Sequence, residues 1–395
     1  MRYRASPVTT LALGAVLLAA VAARAQGTPP TTARSQAPVA TIRARLQAVL
    51  DSAHAAGRAP GISAGIVLSD GTAFGLTSGL ADTALKVPLR PADKLLQGSV
   101  GKTYVAAVAM QLVHEGKIGL DEKIERYLGR EPWFSRLAHA GEITVRHLMS
   151  HTSGVVRYEF KPEFTRDLTA NPTRVWKPEE QIAYLLDDPA PFRPGEGWEY
   201  SDTNYILLGM IIERVTGSSY YAELRRRILE PLGLRNTVPS DSRRIPGLAQ
   251  GYAGPRNPFG GADAMVTNGE FAINPQFEWT GGGIASTTED LARWAKALYE
   301  GRAFDASLLP QMLDAIPSRL GPTTRYGLGV MVRTTPLGTT YGHSGFFPGY
   351  LTEVMYFPET KTAVAVQVNT STVRSPAAIV LAIARELGAN GAQEY

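Results

Sequence analysis

Two apolar patterns open the chain. Residues 11–23 form a short, nearly unbroken apolar run. Residues 41–55 differ: Ile42, Leu46, Val49 and Leu50 recur at helical spacing, which predicts an amphipathic helix. Residues 62–68 and 73–78 read as strands, and the Ser69-Asp70-Gly71-Thr72 between them predicts a hairpin. A long helical stretch follows, with Ser99 at its start and Gly116 at its end, residue types that suit the two caps. From about 120 to 240 the pattern is mostly helical with proline interruptions, and 241–282 is rich in Gly, Pro and Asn and reads as loop. Ser286-Thr287-Thr288-Glu289 has the form of a capping box and predicts a helix running to about Gly301.

The last eighty residues change character. Residues 326–333, 339–343, 350–357 and 362–369 read as four short strands, and 376–387 as a closing helix. Strands therefore open and close the chain while helices fill its middle. The expected fold class is α+β: one antiparallel β-sheet built from N- and C-terminal strands, flanked by helices, with a mostly helical insertion over about 110–280.

The first residues call for a separate reading. Arg2 and Arg4 precede the apolar run, and Ala23-Arg24-Ala25 closes it, so 1–25 is expected to be a signal peptide cut before Gln26. The run is too short to span a bilayer comfortably, so a secreted or periplasmic protein without a stable membrane span is expected. Residues 26–39, rich in Thr, Pro and Ala, read as a flexible tether, leaving one domain over 40–395. Losing 1–25 removes three arginines and no acid, which takes the net charge from +4 to +1 and leaves no electrostatic case for nucleic acid as a partner. The chain has no cysteine, which excludes disulfides, thiol catalysis and thiolate metal sites.

Candidate chemistry begins at QGSVGKTY, residues 97–104. A phosphate-binding loop would need glycine at position 96, where Leu96 stands, and the preceding PADKLLQ is no buried strand, so that reading fails. The same letters hold Ser99 and Lys102, which share one helix face at this spacing. A serine hydroxyl needs a base, and a lysine serves if burial or neighbouring cations keep it neutral. A helix N-terminus beside them favours an anionic intermediate. The plain alternative is a capping serine followed by an exposed lysine.

Two further motifs argue against the plain reading: Tyr200-Ser201-Asp202 and His343-Ser344-Gly345. In this order the three motifs resemble the penicillin-recognising serine hydrolases, which include class C β-lactamases, D-Ala-D-Ala carboxypeptidases and β-lactamase-like esterases. ITVRHLMSHTSGV at 143–155 and GGGIASTTEDLARWAKAL at 281–298 extend the likeness, which covers about residues 45–385. The resemblance implies a nucleophile at Ser99, a proton holder at Lys102 and a general base or proton shuttle at Tyr200. It implies an oxyanion hole from the N–H groups of Ser99 and Phe346, and substrate contacts from Asp202, His343, Ser344 and Gly345. It implies no cofactor and no metal.

Two positions depart from the family pattern. Asp202 stands where an asparagine is more usual, and an ionised carboxylate only accepts hydrogen bonds. His343 replaces a lysine, so any hold on a substrate carboxylate should weaken as pH rises. His147 and His151, four apart, suggest zinc only weakly, since no third ligand can be assigned. Trp198 is the best aromatic candidate for the cleft wall, and Arg325 reads as a solvated arginine. The expected activity is that of a D-Ala-D-Ala carboxypeptidase or β-lactamase acting through an acyl-enzyme on a peptide, β-lactam or ester. An esterase of the same fold and a penicillin-binding sensor without turnover remain the alternatives.

Overall fold

The computed structural model describes residues 36–57, 59–255, 257–373 and 376–391. The expected signal peptide and most of the tether lie outside these residues. Helix α1 spans Gln36–Gly57, so residues 36–39, expected in the tether, are helical instead. Leu46 and Leu50 of α1 are fully buried, as their spacing predicts.

Strands β1 (Gly61–Val67), β2 (Ala73–Asp82), β3 (Val87–Pro88) and β4 (Leu95–Leu96) come first. Short strands β5 (Thr237–Pro239), β6 (Val266–Thr267), β7 (Glu270–Phe271) and β8 (Ile284–Ser286) lie mid-chain. The C-terminal set is β9 (Ile316–Pro317), β10 (Thr324–Tyr326), β11 (Met331–Thr335), β12 (Gly338–Phe347), β13 (Tyr350–Phe357) and β14 (Thr362–Val368). Nine of them form one antiparallel sheet in the order β3-β2-β1-β14-β13-β12-β11-β10-β9. The two ends of the chain meet in its centre, where Ile62 pairs with Val368. β4, β8 and β5 make a small second sheet. The α+β class expected from the sequence is the fold observed.

The principal helices after α1 are α2 (Lys102–His114), α3 (Val145–Ser150), α4 (Asp202–Thr216), α5 (Thr288–Tyr299) and α6 (Ala377–Gly391). α5 packs on β1, β14 and β13. The opposite face carries α1, whose Arg43 lies over Phe74 of β2, and α6, which is tied to α1 by the Arg45–Glu386 ion pair. α2 is buried along almost its whole length. Tyr104 stacks on Trp294 of α5 at 4.1 Å, and the Trp294 indole N–H donates to Thr103 Oγ1 at 2.8 Å. The start of α2 is thereby held against α5 and the sheet.

Three sequence expectations shift. The run 326–333 is two strands, β10 and β11, because Gly327 and Gly329 turn the chain between them. β12 continues to Phe347, beyond the expected 343, so one strand carries the whole third motif. The helix cap at 286–289 moves by one residue. Thr287 caps α5 by accepting from the Asp290 N–H, while Ser286 accepts from Gln97 Nε2 at 2.7 Å.

Candidate active site

Ser99 sits in a single tight turn, Gly98–Gly101, immediately before α2. It makes no capping bond there, so the capping reading fails. Lys102 is fully buried rather than exposed. Its ammonium spends all three N–H bonds: on Ser99 Oγ at 3.2 Å, on Asp202 Oδ1 at 2.5 Å, and on the Gly281 carbonyl. Burial works against this charge. Asp202 and Tyr200 together outweigh it and hold the lysine above its ordinary range. The neutral lysine that a base role requires is therefore not the resting state.

Tyr200 lies in the loop before α4, and Asp202 is the first residue of that helix, where a carboxylate suits the helix dipole. The Tyr200 hydroxyl is buried beside Lys102, whose Nζ lies 5.0 Å from the ring centre, and it has no hydrogen-bond partner among the described residues. Burial raises its pKa, offset in part by the Lys102 charge, so the resting group is a phenol. Asp202 is itself penalised by burial, yet Lys102 and Arg157 hold it below the usual carboxylate range.

The third motif forms the facing wall. His343, Ser344, Gly345 and Phe346 all border the pocket that contains Ser99, Tyr200 and Asp202, which is about 830 Å³ in volume. β12 approaches the Ser99 turn so closely that a Cβ on Gly345 would stand 1.9 Å from the Gln97 carbonyl oxygen, and one on Gly98 would stand 2.4 Å from that of Phe346. Gly98 also has φ 54, a conformation that favours glycine. The structure thus brings Ser99, Lys102, Tyr200, Asp202, His343, Ser344, Gly345 and Phe346 together at one cleft.

His343 enters that cleft in a form different from the one expected. It is fully buried, and burial pushes its pKa down to about 3. With the Nδ1–H donating to the Ser344 carbonyl at 2.6 Å, Nε2 accepts from the Tyr326 hydroxyl at 2.9 Å. A neutral imidazole locked between two partners offers no positive charge to a carboxylate. Its expected weakening with rising pH across the neutral range therefore has no group to produce it.

Trp198 is not on the cleft wall. It packs behind the site with Tyr326, Met331 and Tyr200. Arg325 donates to the Ala315 carbonyl at 2.8 Å, away from the pocket. His151 is fully buried in the left-handed conformation that ends α3, with its ring 4.2 Å from that of Tyr200. Its Nδ1 lies 3.3 Å from the Ser201 N–H, which donates to it, so this histidine seats the Tyr200 loop.

Sequence reading missed three charged pocket residues: Arg157, Glu159 and Glu278. Arg157 Nε donates to Glu159 Oε1 at 2.6 Å, and its guanidinium lies 3.9 Å from the exposed Phe160 ring. Burial pushes both Glu159 and Glu278 up to about 8. No periodicity marks these residues; only the nearness of Glu278 to the GGG of 281–283 hinted at the site.

A family model described as Beta-lactamase matches residues 42–387. Among curated proteins, the chain is 27% identical to a penicillin-binding protein of Bacillus subtilis (strain 168), over 72% of this chain and 63% of that protein, so it spans less than two thirds of that relative. It is 27% identical to Esterase EstB of Burkholderia gladioli, over 78% of this chain and 87% of the esterase. Among solved structures it is similar to a D-stereospecific amidohydrolase from Streptomyces sp., with a TM-score of 0.74 and 28% identity over 86% of this chain and 97% of that one. It is also similar to D-amino acid amidase from Ochrobactrum anthropi SV3 complexed with D-phenylalanine, with a TM-score of 0.76 and 25% identity over 89% and 99% of the two chains. With three ordered motifs in one cleft and a family match across nearly the whole described chain, the protein belongs to the beta-lactamase family and is a serine hydrolase of that fold.

Proposed function

We propose that this hydrolase cleaves a small amide or ester through an acyl-enzyme on Ser99. The observation that carries the reading is the 3.2 Å contact of Lys102 Nζ with Ser99 Oγ inside the pocket, beside an unpartnered Tyr200 hydroxyl. The resting ammonium cannot accept a proton. Asp202 supplies the way out, because a proton shifted from Lys102 to its carboxylate leaves a neutral amine and a neutral acid. The amine then takes the Ser99 proton as Oγ bonds to the substrate carbonyl carbon. The N–H groups of Ser99 and Phe346 hold the resulting oxyanion. Tyr200 hands a proton to the leaving group and is reprotonated from Lys102, and water completes the cycle by cleaving the acyl-enzyme.

The pocket's chemistry bears on the substrate. Phe160, Leu320 and Phe346 leave exposed apolar surface at its mouth, which suits an apolar substituent. Among the described residues its cations are already hydrogen-bonded, Lys102 to Asp202 and Arg157 to Glu159, and His343 is neutral. Among the described residues, a free C-terminal carboxylate therefore has no positive partner that is not already hydrogen-bonded. This favours an amidase or esterase over a D-Ala-D-Ala carboxypeptidase or β-lactamase, and the similarity to an esterase and to two amide hydrolases supports the same choice. We also propose export, on the strength of residues 1–25; a mature N-terminus at Gln26 in a periplasmic or culture fraction would support it, and an intact Met1 there would refute it.

The deciding experiment is intact-protein mass after reaction with a fluorophosphonate, an activated ester and a penicillin. Adducts on Ser99 with the first two, and slow or no reaction with penicillin, are expected. Absence of any adduct would refute the acyl-enzyme, and rapid β-lactam turnover would restore the β-lactamase reading.

A further inference from the structure

The hydrolase mechanism leaves two pocket carboxyl groups without a task. Glu278 is 7% exposed and borders the same cleft as Ser99, yet its Oε2 is buried with no hydrogen-bond partner among the described residues. Glu159 gives one oxygen to Arg157, and its Oε2 is likewise buried and unpartnered. A buried carboxyl oxygen left unmatched costs stability, so a site that keeps two of them is poised for donors from outside.

The backbone beneath Glu278 is strained to hold it there. Trp279, the next residue, has φ 37 and ψ −117, a backbone conformation that no residue but glycine adopts freely. The turn it makes brings the Gly281 carbonyl to Lys102 and lays the Glu278 carboxyl against Gly282, where a Cβ would stand 2.3 Å from Oε1. One strained segment thus sets both the catalytic lysine and the spare carboxyl.

We propose that Glu278 and Glu159 form an ammonium subsite beside Ser99, so that the acyl group transferred carries a free primary amine. The inference rests on the acyl-enzyme reading above and narrows its substrate class. An ammonium brings three N–H donors and a positive charge, and it matches two carboxyl groups that border one cleft and have oxygens to spare. A metal ion fits less well, since among the described residues no three His, Cys, Asp or Glu side chains converge to hold one.

The groups around the pair set its pH behaviour. Glu278 feels Lys102, Asp202 and Glu159, and it faces the phenols of Tyr158 and Tyr221. Glu159 feels Asp202 and Arg157. Both carboxyls rest near the top of the neutral range, so an arriving ammonium displaces a proton from the subsite and binding releases protons to solvent.

The test compares amino-acid p-nitroanilides of both hands, with the amine free or N-acetylated, on the wild type, Glu278→Gln and Glu159→Gln. The wild type should prefer the free amine by about ten-fold or more in kcat/KM, the scale of one charge-assisted contact. Glu278→Gln should raise KM for the free amine and bring that ratio close to one. A wild-type preference for the N-acetyl substrate, or an unchanged ratio in Glu278→Gln, overturns the subsite. Fluorophosphonate labelling of Ser99 in the same preparations separates the two readings: without labelling the hydrolase reading itself falls, and with labelling only the subsite is at issue. If neither anilide turns over, calorimetry on Ser99→Ala decides, with phenylalaninamide expected to bind about ten-fold tighter than its N-acetyl form. Equal or absent binding of the two refutes the proposal.

Discussion

Lys102 and Asp202 form a buried ion pair, Nζ to Oδ1 at 2.5 Å, with the lysine side chain fully buried and the aspartate 15% exposed. The pair holds one titrating proton, which rests on Lys102 and passes to Asp202 only in the course of the reaction, without exchange with solvent. With a neutral ester, kcat/KM of the wild type should therefore stay flat on the acid side of neutrality. Asp202→Asn removes the counter-charge, and burial then dominates and lowers the lysine pKa. The variant should lose activity at pH 7 and regain it as pH rises, giving an acid limb that the wild type lacks. A pH–rate profile of the two proteins checks this, and an Asp202→Asn enzyme with an unchanged flat profile would refute the internal proton shift.

Ser99→Ala should abolish covalent labelling at little cost in stability, within about 1 kcal/mol, because Lys102 keeps Asp202 and Gly281 as partners. Lys102→Ala should slow labelling by orders of magnitude and also lower stability by about 3 to 5 kcal/mol, since it strands the Asp202 carboxylate. Mass spectrometry and denaturant melts separate the two effects. Normal labelling in either variant would refute the assigned roles.

Glu278 links stability to pH in an unusual direction. Its pKa in the fold, about 8, is above the ordinary value of 4.5, so the folded protein binds the proton more tightly than the unfolded chain. This contribution is complete below pH 4.5 and is lost as pH rises towards 8. The ceiling is about 5 kcal/mol, at about 1.4 kcal/mol for each pH unit. Glu278→Gln removes the titration, so the stability difference, variant minus wild type, should grow steadily between pH 5 and pH 8. His343 titrates the opposite way: its depressed pKa withdraws stability as pH falls from 6.5 towards 3. Its effect is common to both proteins and cancels in the difference. A pH-independent difference would show that Glu278 does not carry the proton.

Gly345→Ala places a methyl group 1.9 Å from the Gln97 carbonyl, which nothing flexible can relieve. β12 must then withdraw from the Ser99 turn and take the Phe346 N–H with it. Labelling should slow at least about a hundred-fold, the scale of a misplaced reacting geometry, while the circular dichroism of the sheet persists. Labelling at the wild-type rate would mean that the wall and the nucleophile are not coupled through this contact.

The parts of the site that were legible in the sequence share one property: their spacing along the chain carries their geometry. Ser99 and Lys102 are one helical turn apart, and His343 to Gly345 lie on a strand whose alternation can be read. Glu159 and Glu278 sit in short 3-10 turns 119 residues apart, and only the packing of the chain and the kink at Trp279 brings them to one pocket. The charge state of Lys102 was not legible for a related reason. Burial can be inferred from an apolar run, whereas the carboxylate that overrides it comes from position 202, across 100 residues. The split between β10 and β11 was hidden because Gly327 and Gly329 lie inside a run of otherwise strand-like residues.

The central position of β1 beside β14 has a consequence for how the enzyme comes to life. The Gly61 N–H donates to Asn369 Oδ1 across 308 positions, and the sheet cannot close until both have been made. Closing so long a loop adds little to the equilibrium cost, which grows only with the logarithm of its length, but it delays the event. β12, which completes the wall facing Ser99, is anchored through β13 to β14. A chain emerging from the ribosome therefore carries its serine and lysine long before it carries a working cleft. Its hydrolytic power is switched on by the last fifth of the polypeptide, so a truncated or stalled chain is inert.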